Sequence, residues 1–406
     1  MHVVKGKPVQ VSLALALLSA IALAVQPATA APSLQQKFKH RPIVFVHGYN
    51  SASGVWGNMI DYAADYGYDR GELHAFNYSD LTYKGSRTEI EAIAKNRLAP
   101  YVTDLAKKSP DGKVDIVAHS MGGLVARAYL RWYGGAALTK HYVAMGTPQH
   151  GAAVANALKI LCGAAFDVQC KQMQVDSDFI KALNSKDGPG PTPGPTKYAT
   201  FRSNIGDEPY ASACDELQLG WPWATLGNAT NRVSPCIAHG DFYHDPWTQR
   251  RSLDFLQDSA NTPQWVKTEC TNLTHAKEKD NWVEAFVETC LVGRKKNNRT
   301  TVGPELSIRG CGYRRYFWKQ WHYTGPNQSC FFHAVVDVAK NGNPAIQAGD
   351  NGPRRSRTID TDFNKSDAYT GAAVYTDRYK SLHISAFHEG KSIDMPGWRS
   401  PSLAMP

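Results

Sequence analysis

The stretch VDIVAHSMGGLVARAYL, Val114 to Leu130, runs from a strand-like segment straight into a serine fenced by small residues and then into a helix-like segment. A serine on a tight strand-to-helix turn can be a nucleophile, because the strained turn projects its hydroxyl clear of the backbone. The same serine can also be no more than a helix N-cap. The turn requires small residues two before and two after the serine. Gly122 meets one demand, and Ala118 stands where a G-x-S-x-G pattern would have its first glycine, one methyl larger.

A nucleophilic serine needs donors for the developing oxyanion, a base, and a carboxylate to orient the base. The segment VFVHGYN ends a strand-like run in His47-Gly48-Tyr49. Gly48 lets the chain turn there, so the backbone N–H groups of Tyr49 and Met121 are the expected oxyanion donors. Of the fourteen histidines, His244 in IAHGDFYHDPW follows the last strand-like run and precedes the last helix-like one, where a returning loop can reach the serine. His239, five residues earlier, is the second choice because it lies closer to the strand end. The carboxylate should leave the preceding strand. KYATFRSNIGDEPY places Asp207 and Glu208 just past it; Asp207 is nearer and shorter, and Asp215 is held in reserve.

These residues must be carried by elements, and the pattern supplies them. From Arg41 onward PIVFVHG, LHAFNYS, VDIVAHS, KHYVAMGTP, KYATFRS and RVSPCIA read as strands. Between them lie helix-like stretches, among them RTEIEAIAKNRLAPYVTDLAKKS, whose Ile90, Ile93, Leu98, Tyr101 and Leu105 recur at helical spacing with Pro100 expected to kink it. Alternating strand and helix predicts an α/β fold with a mostly parallel sheet covered on both faces. Gly151 to Thr196 breaks the rhythm and reads as a covering segment. DPWTQRRSLDFLQ closes the first domain near Gln257.

The order serine, aspartate, histidine is the one an α/β-hydrolase uses. Over about Arg41 to Gln257 the chain resembles the secreted bacterial triacylglycerol lipases and esterases of the lipase class 2 group, through VFVHGYN, VAHSMGG, MGTPQHG, FIKALN…PGPTKYATFRSNIGD and the histidine loop. The resemblance implies a compact α/β-hydrolase fold, Ser120 as nucleophile, Asp207 and His244 as its partners, Tyr49 and Met121 as oxyanion donors, and no cofactor or metal. The cysteine-bearing segment 158–174 and the insertion around Cys214 to Ala224 depart from the family pattern at the rim of the site.

Lys5 and Lys7 precede an apolar run from Val11 to Val25 and the small-residue pattern Ala28-Thr29-Ala30, which reads as a secretory signal over residues 1–30, cleaved near Ala31. The run is short for a membrane span. The eight cysteines all lie beyond it, at 162, 170, 214, 236, 270, 290, 311 and 330, so disulfides are expected in an exported chain, with neighbour pairing the simplest of 105 connectivities. Residues 31–260 then form the catalytic domain and 261–406 a disulfide-containing, mainly β accessory domain. The tail is polar, with one amphipathic candidate, KEKDNWVEAFVETCLV, and strand-like runs FFHAVVDVA, GAAVYTDRY and SLHISAF.

The net charge of +9 is uneven: Lys+Arg exceed Asp+Glu by 20 to 14 from Asn261 onward but only by 23 to 22 between Ala31 and Ala260. That favours a surface or polymer ligand for the tail, and YRRYFWKQWHY at 313–323 could serve it, although core aromatics explain that stretch as well. No nucleic-acid partner is expected. The whole reads as a secreted serine ester hydrolase acting on lipid or other hydrophobic esters. Its rivals are an extracellular polyhydroxyalkanoate depolymerase and a binding protein on an inactive hydrolase scaffold.

Overall fold

In the computed structural model, the described residues besides His2 are 38–152, 167–204, 224–235, 237 and 239–258, followed by the backbone of strands between 266 and 396. The signal-like segment, Cys162, Asp207, Glu208, Asp215, Cys214 and Cys236 lie outside them. Six strands form one sheet: β1 (Ile43–Val46), β2 (Leu73–Phe76), β3 (Val114–His119), β4 (Thr139–Met145), β5 (Lys197–Asn204) and β6 (Thr230–Pro235), in the order β2-β1-β3-β4-β5-β6. Every neighbouring pair is parallel. The helices are α1 (Gly57–Asp65), α2 (Ile90–Ile93), α3 (Ala99–Ala106), α4 (Met121–Trp132), α5 (Gly135–Leu138), α6 (Val168–Gln172), α7 (Asp178–Asn184) and α8 (Pro246–Leu256). The fold is that of an α/β-hydrolase. Among the described residues no helix is long and apolar enough to cross a membrane.

The strands read as unbroken apolar runs because both faces of a parallel sheet are covered, and their period of two sorts the side chains. Val44, Val46, Ile116, Ala118, Tyr142 and Ala144 face a core shared with α2, α3, α4 and α7. Ile43, Phe45, Val117, Val143 and Met145 face the opposite core with α1 and α8.

The expected kink at Pro100 takes a specific form. Residues Ala94–Leu98 make a π-helical turn between α2 and α3, with the Ala99 N–H bonded to the Ala94 carbonyl five residues back. Proline has no N–H for the carbonyl four residues earlier, and its ring would collide with it; a widened turn relieves both problems. The extra residue also lets Ile93 and Leu98, five apart, share the buried face, where Val102 rather than Tyr101 follows them as a fully buried residue.

At the end of the sheet opposite Ser120, the buried Arg41 donates to Asp111 at 2.6 Å, Asp115 at 3.3 Å and Asp258 at 3.2 Å. Asp115 is also bonded to His141 Nδ1 at 2.9 Å. The three carboxylates hold the guanidinium charged, raising its pKa against the opposing effect of burial. This network ties the start of β1 to β3 and to the exit of α8. Arg41→Met is therefore expected to destabilise the protein by about 3–5 kcal/mol by stranding the buried Asp115 charge. Chemical denaturation monitored by tryptophan fluorescence checks this, and a change under about 1 kcal/mol would contradict it.

From Val266 on, the described backbone runs as antiparallel strands. Val283–Lys296, which overlaps the amphipathic candidate and runs four residues beyond it, is a strand paired with Val266–Cys270 on one side and Arg299–Arg314 on the other. Its Val283, Val287, Thr289 and Val292 suit an extended backbone, and it is paired on both sides.

Candidate active site

The chain passes from β1 to β2 on one side of the sheet and then crosses to β3 on the other side of β1. The carboxyl ends of β1 and β3 therefore flank the topological switch point, where open parallel sheets hold their ligands. His47-Gly48-Tyr49 leaves β1 and Ser120 leaves β3 at that place.

Ser120 has φ 55° and ψ −132°, in the positive-φ region that side chains other than glycine rarely occupy. It stands in the N-cap position of α4, yet its side chain makes no capping hydrogen bond. Its N–H donates instead to the Met145 carbonyl at the end of β4, 3.0 Å away, and its Oγ lies 3.0 Å from His239 Nε2. The serine is held as a nucleophile would be and does not behave as a cap.

The small residues around it have distinct reasons. A β-carbon on Gly122 would lie 2.3 Å from the His47 carbonyl oxygen and 2.5 Å from that of Val46, so it is the end of β1 that forbids a side chain there. A β-carbon on Gly48 would lie 2.9 Å from Ser120 Cβ, which brings the loop's backbone against the nucleophile. Ala118 is fully buried in the body of β3, paired with Val46 and Ala144, and its methyl is accommodated.

Tyr49 and Met121 both lie at this point. Met121 is the first residue of α4, so its N–H has no acceptor within the helix and sits at the positive end of the macrodipole. The loop bearing Tyr49 is fixed from beneath: His47 stacks on Tyr78 with ring centroids 4.0 Å apart, the Tyr78 N–H donates to His47 Nε2, and the Tyr78 hydroxyl donates to the His47 carbonyl. Burial lowers the His47 pKa, so the imidazole stays neutral and can accept at Nε2.

Of the two candidate bases, His239 is the one brought to the serine. His244 is exposed, with its ring beside that of Tyr243. Contacts to three successive strands hold Ile237 and His239: the Ile237 N–H bonds Ser203 Oγ at 2.8 Å within β5, the His239 ring lies over Gly146 just beyond β4, and the His239 carbonyl accepts from His119 Nε2 at 2.8 Å at the end of β3. A β-carbon on Gly146, whose φ is +53°, would stand 3.2 Å from His239 Nδ1. Burial pushes the His239 pKa down to about 4. His119, buried against the His239 and Tyr243 rings, is likewise held neutral by burial and by the neighbouring imidazole.

Asp207, the expected orienting carboxylate, and its reserve Asp215 lie outside the described residues. His119 stands within the quoted VAHSMGG motif, but the motif alone gives no hint that its ring would hold the carbonyl of another histidine 120 residues on. Among the described residues no group of three or more His, Cys, Asp or Glu side chains could hold a metal ion.

Residues 40–193 match the family model described as Lipase (class 2). Among solved structures, the mature form of the Bacillus licheniformis lipase BlEst2 aligns at 24% identity over 52% of this chain and 89% of that one, with a TM-score of 0.40. The propeptide form of the same enzyme aligns at 14% identity over 90% and 97%, with a TM-score of 0.42. Aspergillus fumigatus lipase B aligns at 13% identity over 58% and 56%, with a TM-score of 0.43. The family match spans the loop after β1, the serine turn and the strand beyond it; over residues 40–193 the chain is similar to class 2 lipases, and it is a carboxylic ester hydrolase.

Proposed function

We propose that this chain is an exported serine hydrolase of lipid carboxylic esters, working through an acyl-enzyme. The observation that carries the mechanism is the 3.0 Å contact between His239 Nε2 and the Oγ of a serine at φ 55°. Ser120 Oγ attacks the ester carbonyl while His239 Nε2 takes its proton. The N–H groups of Tyr49 and Met121 stabilise the tetrahedral oxyanion, and His239 returns the proton to the departing alkoxide. Water, deprotonated by His239, then clears the acyl group from Ser120. Asp207 is assigned to His239 Nδ1, where it selects the tautomer that leaves Nε2 free to accept and stabilises the imidazolium. The base is thus His239 in place of His244.

Export, with cleavage near Ala31, follows from the charged, apolar and small-residue order of the first thirty residues. Disulfides belong to the same reading. Cys170 has no free thiol, and the backbone register sets Cys270 opposite Cys290, which favours the neighbour pairing 270–290. Residues 261–406 form an accessory domain for a surface or polymer.

A fluorophosphonate probe applied to the full chain is expected to label Ser120 stoichiometrically, with labelling and hydrolysis of a nitrophenyl ester both lost in Ser120→Ala. Retained turnover in Ser120→Ala would refute the mechanism. Rates on triolein, a short nitrophenyl ester and a polyester film assign the substrate, and a preference for the film would move it from lipid to polyester.

A further inference from the structure

The loop after β1 is tied down by a carboxylate that the mechanism above does not use. Asp167, 1% exposed, lies in sequence far from both β1 and the elbow. Its Oδ2 accepts from the Tyr49 hydroxyl at 2.5 Å and from the Gly85 N–H at 2.7 Å, while Oδ1 accepts from the Cys170 N–H at 3.0 Å. Tyr49 is half-buried and packs against the core. A second tie runs beside the first: the Asn50 N–H donates to Thr82 Oγ1 at 3.1 Å, Thr82 Oγ1 donates to Gln169 Oε1 at 3.0 Å, and Gln169 Nε2 donates to the Leu81 and Thr88 carbonyls.

An oxyanion donor works only if its N–H is aimed before the reaction, since a loop free to shift by about 1 Å forfeits the electrostatic stabilisation. Gly48 gives the loop its close approach to Ser120 but no side chain by which to hold it. Asn50, at φ 49°, is in the left-handed region, so the turn does not rest in its most favoured backbone state. The side chain between them supplies the anchor, and a buried carboxylate accepting charge-assisted bonds is a strong one.

We propose that Asp167 is a positioning residue for the oxyanion site: through the Tyr49 hydroxyl it aims the Tyr49 N–H at the ester oxygen. This rests on the acyl-enzyme reading above. The alternative is a staple between loops with no bearing on the chemistry.

Tyr49→Phe in the full chain separates the two, because it deletes one hydroxyl and leaves Asp167 its two backbone donors. For a soluble nitrophenyl ester, kcat is expected to fall about 10- to 100-fold with KM within about twofold. Affinity for an aryl trifluoromethyl ketone is expected to weaken by the same factor. That inhibitor adds Ser120 Oγ to its carbonyl carbon, passes the serine proton to His239 and leaves the former carbonyl oxygen as an oxyanion. Asp167→Asn, which keeps the shape and loses the charge, is expected to move both constants in the same direction. A kcat within twofold of wild type in both variants, whatever happens to the melting temperature, overturns the positioning role while inactive Ser120→Ala leaves the mechanism standing. Turnover by Ser120→Ala would instead overturn both.

Discussion

His239→Ala is expected to lower kcat by on the order of 10⁶-fold on any ester the enzyme turns over, the scale seen when the base of a serine triad is removed. His244→Ala is expected to stay within about threefold. The physical ground is reach. His239 Nε2 stands 3.0 Å from Ser120 Oγ, and the adjoining backbone is bonded to Ser203 and His119, so the ring meets the serine without rearrangement. His244 is exposed, and the Tyr243 beside it is buried against Trp56 and His119. Steady-state kinetics on both variants, with circular dichroism as a check on folding, decides the assignment. Loss of activity in His244→Ala and retention in His239→Ala would reverse it.

Asp207→Asn is expected to cost about 10⁴-fold in kcat, by analogy with triads whose carboxylate is neutralised, and it should also move the pH profile. Only the neutral imidazole can act as base, so kcat/KM rises as pH rises through the pKa of His239. Burial alone pushes that pKa down to about 4. A carboxylate at Nδ1 favours the imidazolium and raises it. Wild type is therefore expected to gain activity through a midpoint above about 4, and Asp207→Asn through one displaced toward that value. An unchanged midpoint together with a kcat loss under about tenfold would remove Asp207 from the role and turn attention to Asp215.

The His239 pKa shift also carries a stability consequence in the same pH range. As long as burial holds the folded-state value below 6.5, the unfolded chain takes up the proton first, so stability present above about pH 6.5 is lost as pH falls toward the folded-state pKa.

Distances in space and distances along the chain rank the two histidines differently. Along the chain His239 lies nearer the end of the last strand-like run than His244 does, and β6 ends at Pro235, four residues before it. Three strand spacings separate β6 from β3 in the sheet order, about 14 Å at 4.8 Å each, and four extended residues span about 14 Å. The shorter connection is thus the one that delivers an imidazole to Ser120, while His244, five residues on, is exposed. The amphipathic candidate KEKDNWVEAFVETCLV is likewise placed by its neighbours: residues 283–296 are extended, with strand pairing on each side.

What the sequence determined by itself was everything local in origin. Six short apolar runs alternating with helical stretches could form only a covered parallel sheet. Pro100 could not donate an N–H, so the helix through it could not run on undisturbed. VAHSMGG, running from strand into helix, forced the chain through a tight turn at Ser120. Local sterics and hydrogen-bonding capacity settle such features within a few residues. The tertiary structure decided which histidine meets the serine, that Gly122 is required by the carbonyls ending β1, and that Asp167 holds the Tyr49 hydroxyl. These depend on strand order and on contacts between residues 75 to 119 positions apart, and neither strand spacing nor loop path is written in the periodicity of any one segment.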